Sequence, residues 1–112
     1  AKENDEEPAK EFLMSLDEKM RAKIVRAISR LERNGIELRE PFSKHLEDGI
    51  FELRASFSSN ISRVLYFFFT GRTIILTNGF IKKTQKTPRA EIDKAKRYRD
   101  DYIRREKKTD GN

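Results

Sequence analysis

The stretch from Ile50 to Ile81 constrains the fold most, because it has the texture of short strands joined by tight turns. It holds six of the eight Phe residues and a single acidic residue, Glu52. Gly, Ser and Asn divide it into runs that are rich in β-branched and aromatic residues and have ordinary strand length: 50–57, 61–69 and 72–81. The gaps between the runs are short enough for hairpins. We therefore predict an antiparallel meander of at least three strands.

Two of these runs also predict what the sheet faces. In the first run Phe51 and Leu53 alternate with Glu52 and Arg54, so one face is apolar and the other polar. The second run ends in three consecutive Phe residues, 67–69. Such a run indicates either a strand covered on both faces or an edge that meets a partner.

Helical patterns flank the strands on both sides. Residues 8–16 and about 16–34 carry apolar stripes at helical spacing, Ser15 and Glu18 have capping-box spacing, and residues 36–49 are predicted to be a connector. Thr87-Pro88 is predicted to open a last helix, with Thr87 as its N-cap, that extends to about residue 105. We predict an α+β fold with an N-terminal helical hairpin, the meander and a basic C-terminal helix, the helices covering one sheet face.

Length and composition exclude several classes of protein. The 112 residues fit one domain, 1–112, in which we expect 1–7 and 106–112 to be flexible. The absence of Cys excludes disulfides and thiol catalysis, and a single His makes a zinc site implausible, so we expect no metal and no cofactor. No apolar run has the length of a membrane span and no signal peptide is apparent, so we expect a cytoplasmic protein.

The net charge of +6 is unevenly distributed along the chain. Residues 82–108 hold twelve basic and five acidic residues, a net charge of +7. A basic segment of this size is typical of proteins that bind a polyanion, most often a nucleic acid. A solvated helix face with unmatched Lys residues accounts for the charge equally well.

Cations and aromatic residues on and near the sheet are the candidate functional groups. Arg54 and Arg63 lie on adjacent strands, where fixed cations could stabilise a phosphorane transition state, or else pair with Glu52 and helix acids. The Lys residues after the third strand form either a phosphate-binding cluster beside Phe80 or a solvated loop; they are Lys82, Lys83 and Lys86. Phe80 or Tyr66 could stack a base. His45 is a candidate general base, although one His in a connector is more often incidental.

Four strings in the chain resemble the RelE/HigB superfamily of type II toxins, in particular its phage-related HigB-like branch. They are EFLMSLDEKMRAKI, PFSKHLEDGIFELR, SRVLYFFF and NGFIKKTQKTPRAEIDKAKRY, in the family's order, and they span about residues 8–105. Many relatives begin with a strand, for which residues 1–7 are too polar. A Tyr near the C-terminus is catalytic in the RelE pattern, whereas Tyr98 and Tyr102 lie on the helix stripe and are expected to be core residues.

The resemblance implies a ribosome-dependent, metal-independent endoribonuclease that cuts mRNA in the A site of the 70S ribosome by attack of the RNA's own 2′-hydroxyl. It also implies a cognate helix-turn-helix antitoxin that is HigA-like. The toxin is then expected to bind operator DNA only as part of the complex with this antitoxin. By position, the family's catalytic Arg corresponds to Arg63 and its basic position after the next strand to Lys82 or Lys83. Arg54 matches a substrate-binding or structural Arg, Phe80 a pocket residue and Lys44 a phosphate contact. The alternatives are a non-catalytic module that binds RNA, DNA or a partner, and a structural phage-type protein.

Overall fold

The four-stranded antiparallel sheet at the centre of the fold confirms the predicted α+β class. The computed structural model describes residues 8–71, 73–82 and 86–110, so the predicted flexibility of residues 1–7 lies outside the described residues. The elements are α1 (Pro8–Ser15), α2 (Glu18–Asn34), a 3-10 turn (Gly35–Glu37), β1 (Ser43–Glu47), β2 (Ile50–Phe57), β3 (Asn60–Phe69), β4 (Thr73–Lys82) and α3 (Arg89–Asp110). The strands lie in the order β1-β2-β3-β4, each beside its neighbour in sequence.

Strand β1 corrects the prediction that residues 36–49 are only a connector. It pairs antiparallel with β2, with Ser43 opposite Leu53 and His45 opposite Phe51. Asp48 and Gly49 both adopt positive φ, 52° and 77°, as the turn of a two-residue hairpin requires. The Asp-Gly pair is a hairpin signal, but residues 43–47 contain one apolar side chain, so the periodicity of the strand is weak.

One face of the sheet, here the α2 face, is covered by the two N-terminal helices. α1 packs mainly on β4 and α2 mainly on β2. α1 approaches so closely that a Cβ on Gly79 would overlap the ring of Phe12, so this position in β4 requires glycine. The fully buried members of this core come from α2, β2 and β3: Ile24, Leu31, Leu53, Val64 and Tyr66.

The opposite face, the α3 face, is covered by the C-terminal helix, so helices cover both faces and not the single face predicted. Its core contains Ile50, Leu65, Phe67 and Ala95. The three consecutive Phe residues are explained by this arrangement, because Phe68 packs on the α2 face whereas Phe67 and Phe69 pack on the α3 face. Tyr102 joins the second core, with its ring 5.1 Å from that of Phe69, and Tyr98 is half-buried.

The helix ends differ from the predictions in detail. α2 is capped by Asp17, whose side chain accepts a hydrogen bond from the Met20 amide at 2.8 Å, whereas the Ser15 hydroxyl donates to the Phe12 carbonyl. α3 begins at Arg89 and continues to Asp110, so residues 106–110, which were expected to be flexible, extend the helix. Among the described residues no helix is both long and apolar enough to span a membrane.

Candidate functional site

A buried set of charged and polar side chains lies on the α3 face where β2, β3 and the start of α3 meet. Arg54 and Arg63 are directly opposite each other in the β2–β3 register, and Glu52 lies two residues before Arg54 on the same face. Glu52 Oε1 accepts from Arg54 Nε at 2.7 Å, and Glu52 Oε2 lies 3.5 Å from Arg63 Nη1. The Thr87 hydroxyl donates to Glu52 Oε2 and accepts from Arg63 Nη1 at 3.4 Å. We call these four residues the Glu52 network.

The members of the Glu52 network differ in their exposure. Glu52 and Arg63 have fully buried side chains, whereas 18% of the Arg54 side chain is exposed. Arg63, which the sequence resemblance predicts to be the catalytic Arg, therefore does not reach solvent. Arg54 is the member through which the network meets the surface.

A small cavity of about 180 Å³ opens beside Arg54. It is lined by Lys44, His45 and Leu46 of β1, by Arg54, and by Lys86, Thr87 and Ile92 around the start of α3. Four of the residues selected from the sequence are thus brought together here: Lys44, His45, Arg54 and Lys86. Cationic side chains around a small cavity provide a binding site for a phosphate group, and the Glu52 network holds one of these cations in place.

The remaining selected residues lie elsewhere or outside the described part of the chain. Phe80 is opposite Arg63 in the β3–β4 register, but it packs against the α3-face core and does not line the cavity. The backbone of Lys82 pairs with Ile61, whereas the Lys82 side chain and all of Lys83 lie outside the described residues.

His45 is exposed, yet its imidazole is already engaged. The ring lies 4.9 Å from that of Phe51, its partner on β2, and Nε2 accepts a hydrogen bond from the Gly49 amide at 3.2 Å. Nε2 is therefore occupied by a donor from the β1–β2 turn. A role as general base would require this contact to open.

Sequence reasoning missed the part that Thr87 plays. Its position before Pro88 predicted an N-cap, but the side chain turns into the sheet and binds Glu52 and Arg63. Glu52 could have indicated this role for Thr87. A carboxylate that is buried in a sheet needs hydrogen-bond donors around it, and a hydroxyl can be one of them.

Ion pairs fasten α3 to the β1–β2 turn and compensate much of its positive charge. Glu47 accepts from Arg89 at 2.5 Å and 2.7 Å and from Lys96 at 2.5 Å, and Asp48 pairs with Arg99 at 3.0 Å. The hydrogen bonds from Arg89 and then from Lys96 lower the pKa of Glu47 to about 2. The basic segment 82–108, whose net charge of +7 suggested a polyanion surface, therefore binds carboxylates of this chain with several of its cations, among them Arg89, Lys96 and Arg99.

The phage-derived Gp49-like family model (DUF891) matches residues 11–100, which is most of the chain. The protein therefore belongs to the Gp49-like family, which is part of the RelE/ParE-like toxin superfamily and is related to the toxins of toxin–antitoxin systems. A comparison with curated proteins finds no match. Within the described residues no group of three or more His, Asp or Glu side chains is arranged to hold a metal ion.

Proposed function

We propose that this protein is the toxin of a type II toxin–antitoxin system, of the HigB-like branch, and that it cleaves mRNA in the ribosomal A site. The observation that carries the proposal is the cavity lined by Lys44, Arg54 and Lys86 and backed by the Glu52 network. Membership of the Gp49-like family supports the same class of protein.

The chemistry in this proposal requires charge stabilisation above all. The 2′-hydroxyl of the RNA loses its proton and attacks the adjacent phosphorus, and the bond to the 5′-oxygen of the next nucleotide breaks. That oxygen takes up a proton, so a 2′,3′-cyclic phosphate and a 5′-hydroxyl remain. The pentacoordinate phosphorus carries extra negative charge in the transition state, and cations held in place before the reaction stabilise it without reorganisation. Arg54, fixed by Glu52, is suited to that part, while Lys44 and Lys86 bind the phosphate on either side of it.

Partners follow from the same proposal. The substrate is mRNA on the 70S ribosome, and a HigA-like helix-turn-helix antitoxin neutralises the toxin and links it to operator DNA. The protein acts in the cytoplasm, where translating ribosomes are found, and uses no metal or other cofactor.

A second candidate is a module that binds RNA without cutting it. Two observations favour it: Arg63 is fully buried, and the Nε2 atom of His45 is occupied by the Gly49 amide. Since no described residue at the cavity is a free general base, in this second candidate the site binds phosphate without a group that removes the 2′-hydroxyl proton.

Mapping of mRNA 5′ ends on ribosomes distinguishes the two candidates. The chain is induced in bacterial cells without antitoxin, beside a Lys44→Gln/Lys86→Gln double variant and a matched Lys94→Gln/Arg104→Gln control with the same loss of charge. The nuclease predicts growth arrest and new 5′-hydroxyl ends within A-site codons for the native chain and the control, and their loss in the double variant. Normal growth without new ends, from a folded native chain, would reject the nuclease and favour the binding module.

A further inference from the structure

A second basic cavity, larger than the first, lies at the end of β2 that extends beyond its pairing with β1, where Arg54, Ala55 and Ser56 line it. This groove has a volume of about 510 Å³ and lies between α2 and β2. Lys23, Arg26 and Arg30 line it from α2, and Phe42 lines it from the segment before β1. Their spacing of three and four residues places the three cations on one face of α2, over roughly 10 Å of helix axis at about 1.5 Å per residue.

Within the described residues, the cations of the groove lack the carboxylate partners that several cations of α3 have. Within the described part of the chain, Lys23, Arg26 and Arg30 form no ion pair, and no acidic residue lines the groove. On α3, by contrast, Lys94 pairs with Glu91 and both Arg104 and Arg105 pair with Asp101. Like charges three and four residues apart on a helix repel one another, so an anion in the groove would relieve a cost that the free protein bears.

An aromatic ring at the groove narrows the class of anion. The Arg30 guanidinium carbon lies 4.1 Å from the centroid of the Phe42 ring, a cation–π contact, and Phe42 is still 39% exposed. Single-stranded RNA combines phosphates with bases that stack on aromatic rings and on guanidinium planes. An acidic peptide would match the charges but would bring no base to the exposed part of the Phe42 ring.

We infer that the groove between α2 and β2 binds the backbone of a single-stranded RNA segment, with Lys23, Arg26 and Arg30 on its phosphates and Phe42 against a base. Arg54 lines both this groove and the smaller cavity. An RNA strand in the groove therefore leads to the site described above. The inference extends the proposed function by a second RNA-binding surface, but it concerns binding and does not depend on cleavage.

Fluorescence anisotropy with the full chain and a labelled 2′-O-methyl RNA of about twelve nucleotides tests the inference, since single-strand binding sites span roughly 4–16 nucleotides. This RNA has no free 2′-hydroxyl and cannot be cut by the proposed reaction. The groove variant carries Lys23→Gln, Arg26→Gln and Arg30→Gln. The matched control carries Lys94→Gln, Arg104→Gln and Arg105→Gln, which removes the same charge from α3. Circular dichroism melts establish that each variant is folded.

We expect the groove variant to lose at least tenfold in affinity and the control less than threefold. Three lost phosphate contacts also predict that the slope of log K against log salt becomes shallower by about 2, since each contact contributes about 0.7 for single strands. Phe42→Ala should weaken binding by roughly fivefold or more through the lost base stacking. If the triple variant is not folded, Arg26→Gln alone replaces it, since Arg26 is exposed, with an expected loss of about threefold.

Equal losses in the groove and control variants, or none in either, would overturn the inference. So would displacement of the RNA by polyglutamate at the same concentration of charge, which would assign the groove to an acidic peptide. The outcome is independent of the nuclease proposal. If the groove variant loses RNA affinity, the inference about the groove is supported even when the native chain cuts no mRNA. If the native chain cuts mRNA but the groove variant binds RNA as tightly as the native chain, only the inference about the groove is rejected.

Discussion

The two faces of the sheet are built on different principles, although both lie under helices. The α2 face is apolar, and the side chains at its centre, among them Leu53, Val64 and Tyr66, are fully buried. The α3 face is divided: Leu65 and Phe67 pack under α3, whereas Glu52, Arg54 and Arg63 form a charged network beside them. One face thus supplies the main core, and the other combines a smaller core with the candidate site.

The comparison teaches where stability and function are separated in this fold. Loss of apolar volume on the α2 face should lower stability and leave the chemistry of folded molecules unchanged. On the α3 face, buried members of the Glu52 network should affect stability, and exposed members should affect RNA cleavage or binding. The following predictions test this division, from the largest expected effect to the smallest.

Glu52→Ala should cause the largest loss of stability. It removes the carboxylate that faces the buried guanidinium of Arg63 and that also binds Arg54 and Thr87. Removal of one partner from a buried ion pair costs about 4 kcal/mol in the free energy of unfolding. Urea denaturation measures this change, and a loss below about 1 kcal/mol, typical of surface pairs, would show that the network is not a stabilising unit.

Leu53→Ala should destabilise the protein by about 3 kcal/mol, because it leaves a cavity among fully buried side chains on the α2 face. The same urea experiment measures the effect. The rate of mRNA cleavage per folded molecule should stay the same, since Leu53 lies on the opposite face from Arg54. A marked change in the cleavage rate of the folded variant would contradict the separation of the two faces.

Arg54→Gln should reduce the rate of A-site cleavage by about 100-fold, which corresponds to about 2.7 kcal/mol of transition-state stabilisation. The change removes the cation that lines the small cavity, and the exposed Arg104→Gln variant serves as its control. Cleavage on purified ribosomes measures the rate. A native rate in a folded Arg54→Gln variant would remove this residue from the site.

Tyr66→Phe should cost about 1 kcal/mol, because it deletes the hydrogen bond of 2.5 Å between the Tyr66 and Ser43 hydroxyls in a buried place. This bond ties the edge strand β1 to the central strand β3 across β2. Burial raises the pKa of Tyr66, so its phenol stays protonated over the whole neutral range. Hydrogen exchange of the β1 amides should accelerate in the variant, and unchanged protection would show that β1 is held by other contacts.

The smallest effect concerns pH at the ion pairs of the β1–β2 turn. The pKa of Glu47 is lowered from 4.5 to about 2, so its contribution is fully present above about pH 4.5 and is lost as the pH falls towards 2. An NMR titration of the Glu47 carboxyl should give a midpoint near 2. Arg89→Gln should move that midpoint up towards 4.5, and a midpoint already near 4.5 in the native chain would show that the pair does not persist in solution.

Much of the fold could be predicted from residue patterns because those patterns are local. The runs that became β2, β3 and β4 and the stripes that became α1, α2 and α3 were predicted within a few residues. Strand β1 was missed because it is an edge strand, which pairs on one side only and has a single apolar side chain. Its sequence therefore shows little of the alternating apolar pattern that predicts a strand. Its pairing is decided by the tight turn at Asp48-Gly49 and by the partner strand β2.

For the candidate site, the residue types were visible in the sequence but their arrangement was not. Lys44, His45, Arg54 and Lys86 were selected one by one, and the tertiary structure brings them to one cavity. Register alone would have paired Arg54 with Arg63, two like charges. The burial of Glu52 and the inward turn of Thr87 help to reconcile them, because a carboxylate and a hydroxyl supply acceptors for both guanidinium groups.

The sequence by itself determined the class of fold, since hydrophobic periodicity and turn residues act over short distances along the chain. It also determined the family, because the Gp49-like match spans residues 11–100. The tertiary structure alone decided which cations form ion pairs and which cations line a cavity. That outcome depends on distances between residues far apart in sequence, such as Glu47 to Arg89, and Coulomb energies follow distance and burial rather than composition.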